Sequence, residues 1–262
     1  MKTTDRGSLR ATGLRKEYAA GERPVRALEN VSMEVPAGGF VSIVGPSGCG
    51  KSTLLHLLSG MEAPDAGTIE LDGGNAGSLR ERVALMPQDD LLMPWRSILD
   101  NVILAPVCQG SDVAAARARA LALFPTFGLE GFEHVYPRDL SGGMRQRAAL
   151  MRTFLCDRSI HLLDEPLGRL DALTRASMQQ WLTAYWEQRR TAVVLVTHSI
   201  DEALFLSDDV YVMSPRPGRM LARVTVPFSR PRRYVEVVTS PEFGALKRQL
   251  FEYLEREHWS ER

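Results

Sequence analysis

The segment Gly45–Thr53 reads Gly-Pro-Ser-Gly-Cys-Gly-Lys-Ser-Thr, so two glycines five residues apart precede a lysine and a hydroxyl residue. Glycine lets backbone N–H groups turn inward at positions where a side chain would collide with a phosphate. The apolar run Gly39–Val44 before the segment predicts a strand, and Leu54–Leu58 after it predicts a helix. The helix adds unsatisfied N–H groups and the positive end of its dipole. The pattern is that of a phosphate-binding loop, the Walker A motif.

Two side chains of the loop have predicted chemistry. Lys51 supplies a flexible positive charge for the β- and γ-phosphates, and the hydroxyl of Ser52 is placed to ligate Mg²⁺. Cys49 is read as a small residue tolerated in the turn. A glycine-rich turn that contains lysine by chance is the alternative, which the flanking strand and helix disfavour. The predicted nucleotide-binding residues of the loop are Gly45, Pro46, Ser47, Gly48, Cys49, Gly50, Lys51, Ser52 and Thr53.

Two acidic residues follow a second apolar run, in the sequence Leu162-Leu163-Asp164-Glu165-Pro166. At the end of a buried strand beside a phosphate loop, Asp164 can hold Mg²⁺ through water. Glu165 is placed to polarise the attacking water as a general base. Without the phosphate loop, a strand that ends in a solvated acidic turn would be the default interpretation. With the loop present, we expect a nucleotide-hydrolysing site.

A third stretch, Ser141-Gly142-Gly143, begins a predicted helix. It offers N–H groups, a dipole and a hydroxyl, which together form a second cradle for an anion. One ATP needs only one phosphate loop, so a second cradle suggests that this one serves the nucleotide of another copy of the chain. An ordinary capped helix is the alternative that Ser-Gly-Gly alone leaves open.

Composition narrows the class of protein. The 262 residues carry 32 Lys and Arg against 32 Asp and Glu, so no strong field attracts nucleic acid or anionic lipid. The three cysteines are too few and too scattered for a disulfide framework or a zinc site, which favours a reducing cytosol. The N-terminus lacks the apolar core of a secretory signal, and no apolar run approaches the roughly 18 residues of a membrane span. We expect a soluble chain whose membrane role comes through a partner.

The predicted fold is α/β, a P-loop NTPase core with a mainly parallel sheet. Strand-like runs at Leu9–Tyr18 and Leu28–Val35, separated by a turn over Ala19–Pro24, predict an N-terminal antiparallel β subdomain. Ser97 to about Asp157 is helical throughout, an inserted helical lobe, and strands alternate with helices again from Ile160. We expect one domain over 1–262, with the core and antiparallel β subdomain in 1–88 and 158–226, the helical lobe in 89–157 and a C-terminal tail and helix in 227–262.

The segment Leu140–Arg147, Leu-Ser-Gly-Gly-Met-Arg-Gln-Arg, resembles the signature motif of ABC transporter ATP-binding subunits, and the resemblance covers nearly the whole chain. It implies that Gln88 is the glutamine of the Q-loop, which lies at the reaction centre and ligates the metal. It implies that His198 contacts the γ-phosphate as the switch histidine and that Tyr18 stacks on adenine. It also implies a head-to-tail homodimer with ATP and Mg²⁺ between the phosphate loop of one copy and Ser141–Gly143 of the other.

Narrower resemblance, over Met86–Arg96, Asp171–Arg175 and Met213–Arg219, is to the nitrate, sulfonate and taurine importer group. It implies an ATPase at the cytoplasmic face of the inner membrane, peripheral to it. ATP hydrolysis there powers uptake of a small anionic solute through a separate permease, which a substrate-binding protein feeds. The apolar residues of Leu91–Trp95 would then contact the permease, because exposed apolar clusters usually mark contacts. Alternatively, they pack the helical lobe onto the sheet.

Two other functions compete with import. A non-transport ATPase of the same superfamily, acting as an ATP-gated clamp on nucleic acid or ribosomes, predicts a basic face, long coiled-coil insertions or tandem domains, and the sequence has none. A phosphotransferase would have no use for the Ser141 segment. The chain also departs from the family pattern at Arg169, where a small residue is usual, at His161, and over Met151–Phe154. Arg169 is expected near the dimer interface, where a long cation bears on communication between the two ATP sites.

Overall fold

The computed structural model describes residues 7–19, 24–75 and 79–259. The predicted turn over Ala19–Pro24 therefore lies outside the described residues at 20–23, as does the N-terminal segment 1–6. Among the described residues, no helix combines the length and the apolar character needed to cross a bilayer.

Most strands follow the predicted runs closely, and two strands, β5 and β10, have no counterpart among the predictions. The strands are β1 Leu9–Tyr18, β2 Val25–Val35, β3 Phe40–Val44, β4 Ala66–Leu71, β5 Gly74–Asn75, β6 Val83–Met86, β7 Ile160–Asp164, β8 Ala192–Val196, β9 Asp209–Met213 and β10 Met220–Thr225.

The helices lie between these strands, and a 3₁₀ turn at Pro137–Asp139 precedes the longest helix of the inserted segment. The helices are α1 Lys51–Leu58, α2 Leu79–Arg82, α3 Ile98–Val102, α4 Leu104–Cys108, α5 Val113–Leu121, α6 Gly142–Leu155, α7 Ala172–Arg189, α8 Ile200–Leu206, α9 Tyr234–Val238 and α10 Pro241–Trp259.

The larger sheet has the order β10-β9-β3-β8-β7-β6 and is parallel except for its β10 edge. Its central strands are buried along their whole length, as continuous runs of Val, Ile and Leu dictate in a sheet covered on both faces. Because β3, β7 and β8 are parallel neighbours, their carboxyl ends lie at one edge of the sheet. The loops that follow these strands carry the predicted site residues.

The smaller sheet, β2-β1-β4-β5, is antiparallel. Alternate residues of β1 are buried, the pattern of a strand with one face on a core. One apolar cluster includes Leu9 of this sheet, Ile43 and Val194 of the larger sheet, and Leu54 of α1. Helix α1 thus packs between the two sheets, which fixes the direction in which its N-terminus points.

Helices α3 to α6 form a second cluster, which includes Phe124, Phe127 and Leu150 and reaches the sheet through Leu163. Apolar residues recur every three or four positions from Val113 to Phe127, a spacing that predicts one helix over the whole stretch. However, helix α5 ends at Leu121 and the chain turns. Pro125 explains the difference, because proline lacks an N–H and disfavours helical geometry in the residue before it. Both phenylalanines are nevertheless buried.

The C-terminal tail is tied to α8, the helix that follows His198. The guanidinium of Arg232 is buried and donates to the backbone oxygens of Phe205 and Ser207, both at 2.8 Å. These are carbonyls at the C-terminal end of α8, which lack partners within the helix. Burial, together with the nearby Arg230, lowers the pKa of Arg232 to about 10, so it remains charged at neutral pH.

Two of the departures from the family pattern contact each other. The ring of His161, inside β7, stacks on that of Phe154 in α6 with centroids 5.0 Å apart and planes 22° apart. Phe154 also packs edge-on against Trp181 and Tyr185 of α7. Burial lowers the pKa of His161 to about 4, so the imidazole is neutral in the folded protein at neutral pH. The histidine therefore belongs to an aromatic cluster between helix and sheet.

His161 predicts a loss of stability in mild acid. Between the ordinary histidine pKa of about 6.5 and the folded value of about 4, the unfolded chain binds a proton that the folded chain does not. The free energy of unfolding should therefore fall as pH falls, by about 2 kcal/mol between about pH 7 and about pH 5 from this residue alone. Urea unfolding of His161→Leu should show that much less acid sensitivity than the wild type. The exposed His134, changed to leucine, is the control and should leave the pH dependence unaltered.

Candidate functional site

The loop between β3 and α1 is glycine-rich for specific steric reasons. Gly48 and Gly50 have φ of 75° and 104°, a region that side chains disfavour. A Cβ on Gly45 would lie 2.8 Å from the backbone oxygen of Met213, and one on Gly50 would lie 2.9 Å from that of Ala27. The loop backbone therefore packs directly on its neighbours, with the N-terminus of α1 behind it.

Lys51 crosses this loop. Its Nζ donates to the backbone oxygens of Gly45 and Pro46, both at 2.8 Å, and lies 3.6 Å from the Sγ of Cys49. The thiol of Cys49 is buried in the core cluster behind the loop. Its side chain therefore does not face solvent, and a nucleotide can meet only the backbone of this residue.

A cleft of about 340 Å³ opens beside the loop. It combines apolar residues, backbone N–H groups and carboxylates, as a nucleotide requires. The hydroxyl of Tyr18 donates to Glu62 at 2.5 Å. Burial and this hydrogen bond raise the pKa of Tyr18. The cleft is lined by Tyr18, Val25, Ala27, Ser47, Gly48, Gly50, Lys51, Ser52, Thr53, Gln88, Asp164, Glu165 and Arg216.

Asp164, the last residue of β7, meets Ser52 at the floor of the cleft. Burial raises the pKa of Asp164, while its hydrogen bond with the Ser52 hydroxyl and the charge of Lys51 oppose that shift. Within the described residues, no group of three or more His, Cys, Asp or Glu could hold a metal by itself. A hydroxyl and one carboxylate instead suit Mg²⁺, which takes few protein oxygens and completes its shell with water and phosphate.

The side chain of Glu165 is where the remaining predicted groups meet. Nε2 of Gln88 donates to its Oε2 at 3.4 Å, and Nδ1 of His198 lies 3.4 Å from its Oε1. Gln88 follows β6, His198 follows β8 and Glu165 follows β7. Three neighbouring parallel strands thus bring together the three residues at one carboxylate.

The backbone of Glu165 is strained and firmly held. Its φ is 48°, in the left-handed region that non-glycine residues rarely adopt. Its N–H donates to Val196 O at 2.8 Å, and its carbonyl accepts from Nε2 of Gln146 at 2.8 Å. Gln146, buried in α6, also accepts from the N–H of Arg169 at 2.7 Å. Gln146 lies within the Leu140–Arg147 stretch that resembles the signature motif, but no signal in the sequence indicates that it positions Glu165.

Ser141, Gly142 and Gly143 lie elsewhere. Ser141 is the N-cap of α6, and its Oγ accepts from Met144 N at 3.2 Å. In the part of the chain that the structure describes, none of the three lines the cleft. One chain therefore does not bring its two phosphate cradles together.

Comparison with known proteins decides the family. A family model described as ABC transporter matches residues 28–168, more than half of the chain. The chain belongs to the ABC transporter ATP-binding family. The predicted resemblance, the α/β fold class and the assignment as an ABC ATPase that binds ATP are confirmed.

The relatives match over nearly full length. A taurine import ATP-binding protein of Rhizobium johnstonii is 42% identical over 234 residues, covering 87% of this chain and 88% of the relative. The protein of the same name from Burkholderia pseudomallei is 42% identical and covers 92% and 94%. A solved dimeric ATP-binding cassette in a post-hydrolysis state with ADP and Pi has a TM-score of 0.77 at 29% identity. That match covers 84% of this chain and all of the cassette.

Arg169 of this ABC chain has partners within its own subunit. Its guanidinium lies 2.9 Å from Asp89 and 3.8 Å from Asp90, on the loop that follows Gln88. Nε of Arg145 reaches the same Asp90 at 3.1 Å. The loop after Glu165 is thereby linked to the loop after Gln88 and to α6. The cation that departs from the family pattern is neutralised locally.

The predicted apolar segment after Gln88 divides between two roles. Leu92 is buried against the helical segment, whereas Leu91 and Trp95 are exposed by 61% and 72%. Leu91 and Met93 line a groove of about 590 Å³ between this segment, β6, α4 and α6. The other lining residues include apolar Leu85, Pro87, Leu104 and Ala105 and cationic Arg80, Arg152 and Arg158, without any Asp or Glu among those described.

The strain at Glu165 can be separated from its chemistry. Glycine and alanine remove the same carboxylate, but only glycine also relieves the left-handed backbone. We expect the free energy of unfolding of Glu165→Gly to exceed that of Glu165→Ala by about 1 kcal/mol, with ATP hydrolysis lost in both. Urea unfolding without nucleotide measures the difference. Equal stabilities would mean that the backbone at this position carries no strain.

Proposed function

We propose that this chain is the ATP-hydrolysing subunit of an importer that drives uptake of taurine, or a similar small anionic solute such as another sulfonate or nitrate, through a separate membrane permease. The observation that carries the proposal is the match to taurine import ATP-binding proteins over about nine-tenths of the chain. We place the subunit at the cytoplasmic face of the inner membrane, peripheral to it, with a substrate-binding protein that delivers the solute to the permease.

Each site residue then has a proposed role. ATP lies in the cleft with its base on Tyr18 and its phosphates on the N–H groups of the loop and on Lys51. Ser52, Asp164 and Gln88 hold Mg²⁺, which neutralises phosphate charge when it is bound. Glu165 accepts a proton from the attacking water, and His198 and Gln88 hold its carboxylate in place. The contacts of 3.4 Å on both carboxylate oxygens support this arrangement.

A second copy completes the site in this proposal. The N-terminus of the helix that Ser141 caps does not line its own cleft, and we assign the N–H groups of Gly142 and Gly143 to the γ-phosphate of a partner. Two of the solved cassettes that resemble this chain are dimers. Contacts that form only in the closed pair make closure depend on ATP, and hydrolysis reopens the pair.

The completed site predicts an ATP-trapped dimer. Glu165→Gln retains shape and hydrogen bonding but cannot accept the proton, so it should bind ATP, hydrolyse it at least about 100-fold more slowly and accumulate as a dimer. Size-exclusion chromatography with ATP and Mg²⁺ measures this. Lys51→Ala in the same background is the control and should elute as a monomer. A monomeric Glu165→Gln that still binds ATP would contradict the sandwich.

The groove beside Leu91 is the proposed docking site of the permease. Exposed apolar residues in a concave surface mark contacts. The groove lining contains three arginines and, among the described residues, no Asp or Glu, which favours a partner helix that carries acidic residues. The rival function, a clamp on nucleic acid, predicts a basic face, and a net charge of zero does not support it.

Docking in this groove predicts a selective loss of assembly. Ala105→Glu should crowd and repel an acidic, apolar helix and should abolish co-purification with the permease, because Ala105 lies on the groove wall. Ala114→Glu, on the exposed surface of α5, is the matched control and should assemble normally. Thermal melts exclude misfolding. Normal assembly of the Ala105 variant would place the permease elsewhere.

Transport itself is tested in cells that lack this chain. Uptake of labelled taurine should return with the wild-type chain and stay absent with Glu165→Gln. Restored uptake of another sulfonate or of nitrate without taurine would keep the importer and change the solute. Failure to restore uptake of any of these solutes, by a chain that hydrolyses ATP, would count against import.

A further inference from the structure

The loop 214–219, between β9 and β10, carries an arginine at the nucleotide cleft. Nε and Nη2 of Arg216 donate to the backbone oxygen of Gly48, at 3.2 and 3.1 Å. The Arg216 side chain lines the same cleft as Lys51 and Tyr18. It is outside every stretch to which sequence reasoning gave a nucleotide-binding role.

Backbone contacts fix the position of this loop. Gly218 donates to Ala27 O at 2.9 Å, and its own carbonyl accepts from Glu29 N at 3.0 Å. A Cβ on Gly218 would collide with the backbone oxygen of Cys49, so the loop lies directly on the phosphate loop. Arg216 is thus presented from a backbone that is held against both β2 and the phosphate loop.

Within residues 7–19, 24–75 and 79–259, no carboxylate pairs with the guanidinium of Arg216. Arg219, three residues further along, pairs with Glu29. A guanidinium has five N–H donors, and Gly48 O accepts only two of those of Arg216. The remaining N–H donors of Arg216 and its unpaired charge lie at the wall of a cleft that is proposed to bind a polyanion. A planar guanidinium in this position suits phosphate oxygens.

We propose that Arg216 is a further nucleotide-binding residue, which contacts the phosphate chain of ATP as a second cation beside Lys51. The inference rests on the proposed placement of ATP in this cleft. While it holds Gly48 O with one side of the guanidinium, Arg216 presents the other side to the nucleotide. It binds through charge and geometry together, so lysine can replace it only in part.

The experiment compares affinities for ATP by titration calorimetry in Arg216→Ala, Arg216→Lys and Arg219→Ala. We expect Arg216→Ala to weaken binding about 10-fold, since an exposed charged hydrogen bond contributes near the lower limit for such bonds. Arg216→Lys should retain part of that affinity. Arg219→Ala, an exposed arginine of the same loop outside the cleft lining, should bind within about twofold of the wild type. The 10-fold gap should narrow at high salt, because salt screens an exposed charge.

Two results would overturn the inference. One is Arg216→Ala with unchanged ATP affinity. The other is equal, salt-independent weakening in the alanine and lysine variants, together with a lower melting temperature without nucleotide, because Arg216 would then only support the Gly48 carbonyl. Lys51→Ala separates this inference from the proposed function. If Lys51→Ala loses ATP while Arg216→Ala does not, only the role of Arg216 fails, whereas unchanged ATP affinity of Lys51→Ala would remove ATP from the cleft.

Discussion

The parallel alignment of β3, β8 and β7 is the constraint on which the whole site depends. Strands that run the same way end at the same edge, so the phosphate loop after β3, the acidic pair after β7 and His198 after β8 become neighbours. The hydrogen bond from Glu165 N to Val196 O extends this alignment one residue beyond β7. That bond helps to hold Glu165 in its unfavourable backbone conformation, with its side chain between Gln88 and His198.

The inserted helical segment contacts the same edge of the sheet through α6. Gln146 holds the carbonyl of Glu165 and the N–H of Arg169, and Arg169 pairs with the acidic residues that follow Gln88. A displacement of α6 therefore acts on Glu165 and on both adjoining loops together. Because exposed ion pairs contribute little each, the buried glutamine is the stronger link in this network. The groove proposed for the permease includes residues of α6 and of the loop after Gln88. A movement of the docked permease would therefore reach Glu165 directly through these two segments.

Local signals were enough to predict most of the fold. Strand β1 has its predicted bounds. Helix α7 spans Ala172–Arg189, the stretch over which inward-facing apolar residues predict a helix. Strand β10 was missed, since Met220–Thr225 has neither clear alternation nor an apolar run. The five-residue helix α9 was missed as well. The phosphate loop and the acidic pair were recognisable from residue type and spacing, whereas Tyr18, Gln88 and His198 were assigned from the family resemblance. The roles of Gln146 and Arg216 were recognisable in neither way, because they arise from contacts between segments 19 and 168 residues apart.

In the proposed dimer, one chain contains a nucleotide site that it does not complete by itself. The cleft contains Lys51, the oxygens of Ser52 and Asp164, and Glu165, but in the described part of the chain the N-terminus of α6, which Ser141 caps, does not line it. That helix is tied to Glu165 of its own subunit through Gln146. A phosphate that a partner presents to α6 would therefore act near two glutamates, the partner's own glutamate beside that phosphate and the Glu165 whose backbone carbonyl α6 holds through Gln146. In such a pair, α6 would couple the binding of ATP at one site to the position of Glu165 at the other site.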